Sequence, residues 1–258
     1  MPATKTQSFF WYELMTTDRN AAYAFYRKIV GWEGKDFGGG GTPYTVLSVG
    51  ASGIGGMMDL SPEMCGAGLR PCWMGYISVD DVDACVARIV AAGGKIHRAP
   101  ADIPGVGRFA VVADPHGAGF MLLKGSSPEG YTPPAPGARG TIGWHELHAG
   151  DGIPAFEFYS SLFGWTKAED MDMGPLGVYR LFAAGDAPIG GIMTKMKESP
   201  MPFWLFYFNV DAIDAATALV KENGGQVMNG PMEVPTGQWI VQCLDPQGAM
   251  FALVAPGR

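Results

Sequence analysis

The chain lacks what a nucleic-acid or membrane protein needs. Its 258 residues hold 18 Lys and Arg against 25 Asp and Glu, a net charge of −7. No basic run or basic amphipathic helix is present, which argues against binding phosphate backbones. No apolar stretch approaches the ~20 residues needed to span a bilayer. Met1 to Ser8 is polar and does not resemble a signal peptide. Cysteine is scarce. Cys65, Cys72, Cys85 and Cys243 form no CxxC pair, and the spacing between the first two matches no usual zinc knuckle. Cys85 lies in a helical pattern and Cys243 in a strand pattern, so both are expected as buried thiols of a cytoplasmic protein. Glycine, by contrast, is plentiful at 38 residues, which suits many short strands joined by tight turns. With 47% hydrophobic residues, the chain can bury one large core or two ordinary ones.

The sequence repeats itself. Trp11-Tyr12-Glu13-Leu14 returns as Trp144-His145-Glu146-Leu147, Phe25-Tyr26 as Phe158-Tyr159, and Gly31-Trp32 as Gly164-Trp165. Gly55-Gly56 pairs with Gly190-Gly191, Val79-Asp80 with Val210-Asp211, and Gly93-Gly94 with Gly224-Gly225. Asp114-Pro115-His116-Gly117 pairs with Asp245-Pro246-Gln247-Gly248. Order is kept throughout and the offset changes only by loop lengths. The divisions expected are 1–127, a stiff, extended, proline-rich linker over 128–140, and 141–258, with separate cores on either side of the linker.

Each copy reads βαβββ twice. In the first, strands are expected at Phe9–Met15, Tyr44–Val49, Ile54–Met58, Cys72–Val79, Phe109–Ala113 and Phe120–Lys124. Helices open at Asp18 and Asp81, good N-caps, and stop at Gly31 and Gly93-Gly94. The second copy places helices from Asp151 to Phe163 and from Asp211 to Asn223, and a closing strand at Met250–Val254.

The two series of first strand, capping Asp, Phe-Tyr, Gly-Trp and Asp-Pro-x-Gly resemble the vicinal oxygen chelate superfamily of glyoxalases, bleomycin-resistance proteins and extradiol dioxygenases. The likeness covers nearly the whole chain. Ala101-Asp102-Ile103-Pro104-Gly105-Val106-Gly107-Arg108-Phe109-Ala110, followed by Asp114-Pro115, is similar to a two-domain bacterial subgroup that includes a mycobacterial 27 kDa antigen. The resemblance implies an α+β fold, a tandem pair of domains, each of two βαβββ modules forming an open cup. It also implies where metal ligands stand in the family's metal enzymes. Here those positions are Trp11, Met74, Met121 and the stretch Gly56–Met58, then Trp144, Leu205, Ala252 and Gly191–Met193. Trp and aliphatic side chains bind no such cation, and Met is a soft ligand at best. No metal and no cofactor is therefore expected.

Strand alternation puts Trp11, Glu13 and Met15 on one face, and Trp144, Glu146 and His148 on the matching face of the second copy. Tyr12 and His145 point the other way. Glu13 and Glu146 are candidate anchors for a ligand's polar group, or general bases, against a purely structural carboxylate role. Trp11 and Trp144 are candidate stacking surfaces. Arg108 is a candidate partner for an anionic ligand or for Glu13, against a surface salt bridge. His148 beside Glu146 makes the second copy the better candidate for acid–base catalysis. His97 and His116 are expected in solvent, and Trp73, Trp204, Phe206 and Tyr207 mostly in the core.

These residues suit a binder of a small apolar or planar molecule. The alternative is a lyase, isomerase or dioxygenase-type enzyme using Glu146 and His148, metal-independent or atypically metallated. A third reading is an interaction protein whose cups hold nothing. The partner expected is a small molecule, not nucleic acid or membrane, and a homodimer is left open.

Overall fold

The computed structural model describes residues 7–37, 43–125 and 134–258. In the first half, β1 (Phe9–Thr16) leads to α1 (Arg19–Ile29), β2 (Glu33–Asp36), β3 (Tyr44–Val49) and β4 (Ser52–Asp59). A short helix α2 (Pro62–Gly66) precedes β5 (Cys72–Ser78), α3 (Val82–Ala91), β6 (Lys95–Ile103), β7 (Gly107–Ala113) and β8 (Gly119–Gly125). The second half runs β9 (Ile142–Ala149), α4 (Gly152–Phe163), β10 (Thr166–Asp172), β11 (Val178–Ala183) and β12 (Pro188–Thr194). It ends with β13 (Phe203–Asn209), α5 (Ile213–Glu222), β14 (Gln226–Glu233), β15 (Trp239–Leu244) and β16 (Met250–Ala255).

Strands pair within each sequence half. One sheet is ordered β2-β3-β4-β1-β5-β8-β7-β6 and the other β10-β11-β12-β9-β13-β16-β15-β14. The fold is α+β with two eight-stranded mixed sheets, as the tandem repeat predicts. The sheets' outer strands β2, β6, β10 and β14 are largely exposed and polar. Their apolar periodicity is weak, and polar edges oppose pairing with another chain.

The helix caps follow from the sequence. Asp18 accepts from the Ala21 N–H at 2.9 Å and Asp81 from the Ala84 N–H at 2.9 Å. Asp151 caps α4, which ends on Gly164 in the left-handed region. The last helix departs from the pattern. Its N-cap is Ala212, and Asp211 instead pairs with Arg139 at 3.2 Å. Arg139 also donates to the Val30 and Ile29 carbonyls, and Ala135 to Ala138 form a turn. The end of the expected linker is thus anchored rather than extended. Its remainder, 128–133, lies outside the described residues.

Packing divides the chain differently from the repeat. One compact unit comprises Met1–Phe10, Gly75–Glu129 and His145–Trp204; the other comprises Trp11–Met74, Gly130–Trp144 and Leu205–Arg258. The expectation of a separate core for each half is corrected here. In the second unit, the Tyr26 ring of α1 packs edge-on to Trp73 and Phe251, and its hydroxyl donates to Asp245 at 3.1 Å. In the first, Tyr159 of α4 stacks on Trp165 at 5.3 Å and donates to Asp114. Each Asp of an Asp-Pro-x-Gly turn also accepts from the N–H groups of its own turn. So the first-module helix of one half buries its apolar stripe on the second module of the other. Burial pushes the Asp245 carboxyl up and the Tyr26 and Tyr159 phenols well above their ordinary range. Trp73, Trp204, Phe206, Tyr207, Cys85 and Cys243 are buried, as expected. No helix among the described residues is long and apolar enough to cross a membrane.

Candidate functional site

Each half builds the same local frame around its first strand. Glu13 on β1 lies opposite Gly56 of the parallel neighbour β4, and Glu146 on β9 opposite Gly191 of β12. Both carboxylates are buried, 6% and 8% exposed. The glycines are required by close approach. A Cβ on Gly56 would stand 2.2 Å from the Tyr44 hydroxyl oxygen, and one on Gly191 2.1 Å from a ring carbon of Tyr179. Into that space β3 and β11 project tyrosines that reach the carboxylates. Tyr179 donates to Glu146 Oε2 at 2.9 Å. Tyr44 is hydrogen-bonded to Glu13 and accepts from Trp11 Nε1 at 3.0 Å. Burial first, and Glu13 second, push the Tyr44 phenol far above its ordinary range, so it is a neutral donor. The same two causes push the Cys72 thiol up to about 11.

The halves differ two residues further along the strand. The Glu13 frame continues with Met15, which is buried. The Glu146 frame continues with His148, whose Nε2 lies 2.8 Å from Glu146 Oε1. Phe203 stacks on the His148 ring, with centroids 4.6 Å apart and planes 10° from parallel. Residues two apart on a strand share a face, so the sequence alone permitted this pairing. It did not show the second grip on Glu146, which fixes the carboxylate from two directions.

The remaining candidates are placed as follows. Trp144 lies half-buried on β9. Arg108 clamps Asp83 with two bonds, at 2.5 Å and 2.8 Å, and Asp102 with a third at 3.1 Å, so its charge is already met at the surface. His97 and His116 are exposed. His145 faces away from Glu146, as alternation requires. It stacks on Phe9 at 5.0 Å, and its Nδ1 lies 2.8 Å from the Ile189 carbonyl oxygen. Burial holds its pKa down at about 4.

The positions where the family's metal enzymes carry ligands do not fit a metal here. Trp11, Met74 and Met121, like Trp144, Leu205 and Ala252, offer no imidazole or carboxylate. The stretches Gly56–Met58 and Gly191–Met193, where the fourth ligand would stand, hold no His or carboxylate, and tyrosine rings of the adjacent strands crowd Gly56 and Gly191. Among the described residues, no group of three or more His, Cys, Asp or Glu side chains is arranged to hold an ion.

Tyr44, Tyr179 and Phe203 are the site residues that sequence reasoning missed. The signal was present for the tyrosines: Tyr44 and Tyr179 recur at the offset of Gly55-Gly56 and Gly190-Gly191.

Two eight-stranded sheets of repeated βαβββ modules, each with a buried carboxylate on its first strand, define a tandem protein of the glyoxalase type. The family model for the Glyoxalase/Bleomycin resistance protein/Dioxygenase superfamily matches residues 8–122 and again 141–253, and the chain belongs to that superfamily. The chain is 35% identical over 252 residues to "Putative glyoxylase CFP32" of Mycobacterium tuberculosis, covering 95% of this chain and 94% of that one. It is 33% identical over 260 residues to the anthracycline biosynthesis protein DnrV of Streptomyces peucetius, covering 95% and 91%. Among solved structures, it resembles a Mn(II)-bound glyoxalase from Novosphingobium aromaticivorans with a TM-score of 0.69, at 16% identity, covering 98% of this chain and 83% of that one. It resembles the 2,3-dioxygenase LapB from Pseudomonas sp. KL28 with a TM-score of 0.66, at 13% identity, covering 99% and 94%. Both structural likenesses concern the fold alone.

Proposed function

We propose that the protein binds a small planar organic molecule, with Glu13 and Glu146 as polar anchors and Trp11 and Trp144 as stacking surfaces. The observation that carries this is the tyrosine-held carboxylate repeated in both halves. A buried carboxylate is costly and needs donors in any role. What supports a ligand role is that both halves keep the same carboxylate, opposite a glycine and held by a tyrosine. Indole faces beside a fixed acceptor suit a flat ligand with a donor group. Two relatives are named as anthracycline biosynthesis proteins, and fused planar rings are a ligand of that kind. Arg108 is a lesser candidate, because an anionic ligand would have to displace Asp83 and Asp102.

The test is Glu13→Gln and Glu146→Gln, singly and together, with ligand binding by calorimetry and melting temperature read in parallel. The binding reading expects weaker uptake with nearly unchanged melting. A lowered melting temperature with unchanged uptake would assign both carboxylates to structure.

A further inference from the structure

The geometry points to His148 as a proton acceptor for a weakly acidic hydroxyl, phenolic or enolic, on a planar ligand held at the second-half frame. This rests on the binding reading above and deepens it. Tyr179 donates to Glu146 Oε2 at 2.9 Å, so that carboxylate oxygen is an acceptor. His148 Nε2 faces the other oxygen at 2.8 Å. In the neutral ring the nitrogen that faces an acceptor carries the proton, which leaves the lone pair on Nδ1. Phe203 covers one face of the ring. Both oxygens of Glu146 already face a partner, Tyr179 and His148, so the imidazole is the member of the pair left to meet a ligand.

The ligand class follows from charge. A buried carboxylate disfavours an anion arriving from solvent, whereas a neutral hydroxyl can surrender its proton inside. The ligand O–H bond breaks and the Nδ1–H bond forms. The electron pair stays on the ligand oxygen, and nothing is oxidised. The imidazolium so formed lies between the new oxyanion and Glu146, which is the arrangement that stabilises it. Glu146 and Tyr179 act through His148 and are positioning residues. The first half has Met15 at the corresponding place and cannot make this transfer.

The probe is m-nitrophenol, whose phenolate absorbs visible light while its neutral form does not. The full-length protein is titrated about one unit below the pKa of the free phenol, at a pH still above the ~6.5 at which an ordinary imidazole is half protonated, with heat of binding and absorbance followed together. The inference expects heat accompanied by phenolate colour. His148→Phe should bind the probe but lose the colour. Tyr179→Phe should reduce the coloured fraction at saturation, a readout that a merely structural role would not move. Should His148→Phe fail to fold, His148→Gln keeps an N–H toward Glu146, cannot take the proton, and should bind colourlessly. Heat without colour in the wild type would overturn the inference and leave the binding reading standing. Colour that survives in both His148 variants would also overturn it. No heat at all would overturn both readings.

Discussion

The Glu13 and Glu146 frames are the same device finished in two ways. Both place a carboxylate opposite a glycine and pin it with a tyrosine from the next strand. One continues with Met15 and has Cys72 close enough to Glu13 for its thiol to feel the charge. The other continues with His148, backed by Phe203. A thioether has no proton to give or take at any ordinary pH, and a buried thiol raised to about 11 stays neutral. The repeated part is therefore suited to holding a ligand. The part that differs decides whether a proton can move.

The opposite face of the same strands differs as well, and the largest expected effect lies there. Tyr12 in the first half corresponds to His145 in the second, which is buried with its pKa lowered to about 4. A histidine whose folded pKa is depressed contributes stability that is present above its unfolded value of ~6.5 and lost as pH falls toward the folded one. Between pH 6.5 and 4, the protein should lose about 3 kcal/mol from this group. Denaturant titrations across that window should show a flatter pH dependence for His145→Gln, which keeps a donor toward Ile189 but cannot titrate. An unaltered slope would mean that His145 is not buried neutral.

Next in size are the glycines. Gly56→Val and Gly191→Val should each cost about 2–3 kcal/mol by forcing a tyrosine off its carboxylate. Similar losses in the two variants would support a common frame, whereas one tolerant site would break the comparison. Tyr44→Phe and Tyr179→Phe should cost about 1–2 kcal/mol each, because a buried carboxylate loses a donor. Chemical denaturation measures all four.

The transplant Met15→His with Cys72→Phe asks whether the difference is portable. It should add a second site at which bound m-nitrophenol ionises. Smallest of all is the effect on Cys72. Glu13→Gln should modestly speed its alkylation by iodoacetamide, since Glu13 adds to the rise that burial causes. An unchanged rate would place Glu13 too far from Cys72 to matter.

Much of this was legible in the sequence. Landmark order showed the repeat, the capping aspartates placed three of the four long helices' starts, and alternation sorted Glu13 and Glu146 from Tyr12 and His145. The exchange of core partners was not legible. Both copies carry the same Phe-Tyr helix and Asp-Pro-x-Gly turn, so nothing in the chain says whether Tyr26 meets Asp114 or Asp245. The tyrosines of the frame were hidden for a different reason. Tyr44 lies 31 residues from Glu13, and only pairing β4 between β1 and β3 brings it near. The pairing of Glu146 with His148 needed nothing beyond strand periodicity.

The most direct test of the account is nitrogen-15 NMR of ring-labelled histidine in the ligand-free protein. The chain has four histidines, so His148→Gln assigns the resonance. In the neutral ring of His148 the result expected is a proton on Nε2, hydrogen-bonded to Glu146 and lost from that position's signature in Glu146→Gln. A proton on Nδ1 would leave the lone pair facing the carboxylate and would contradict the assignment of His148 as the ligand's proton acceptor.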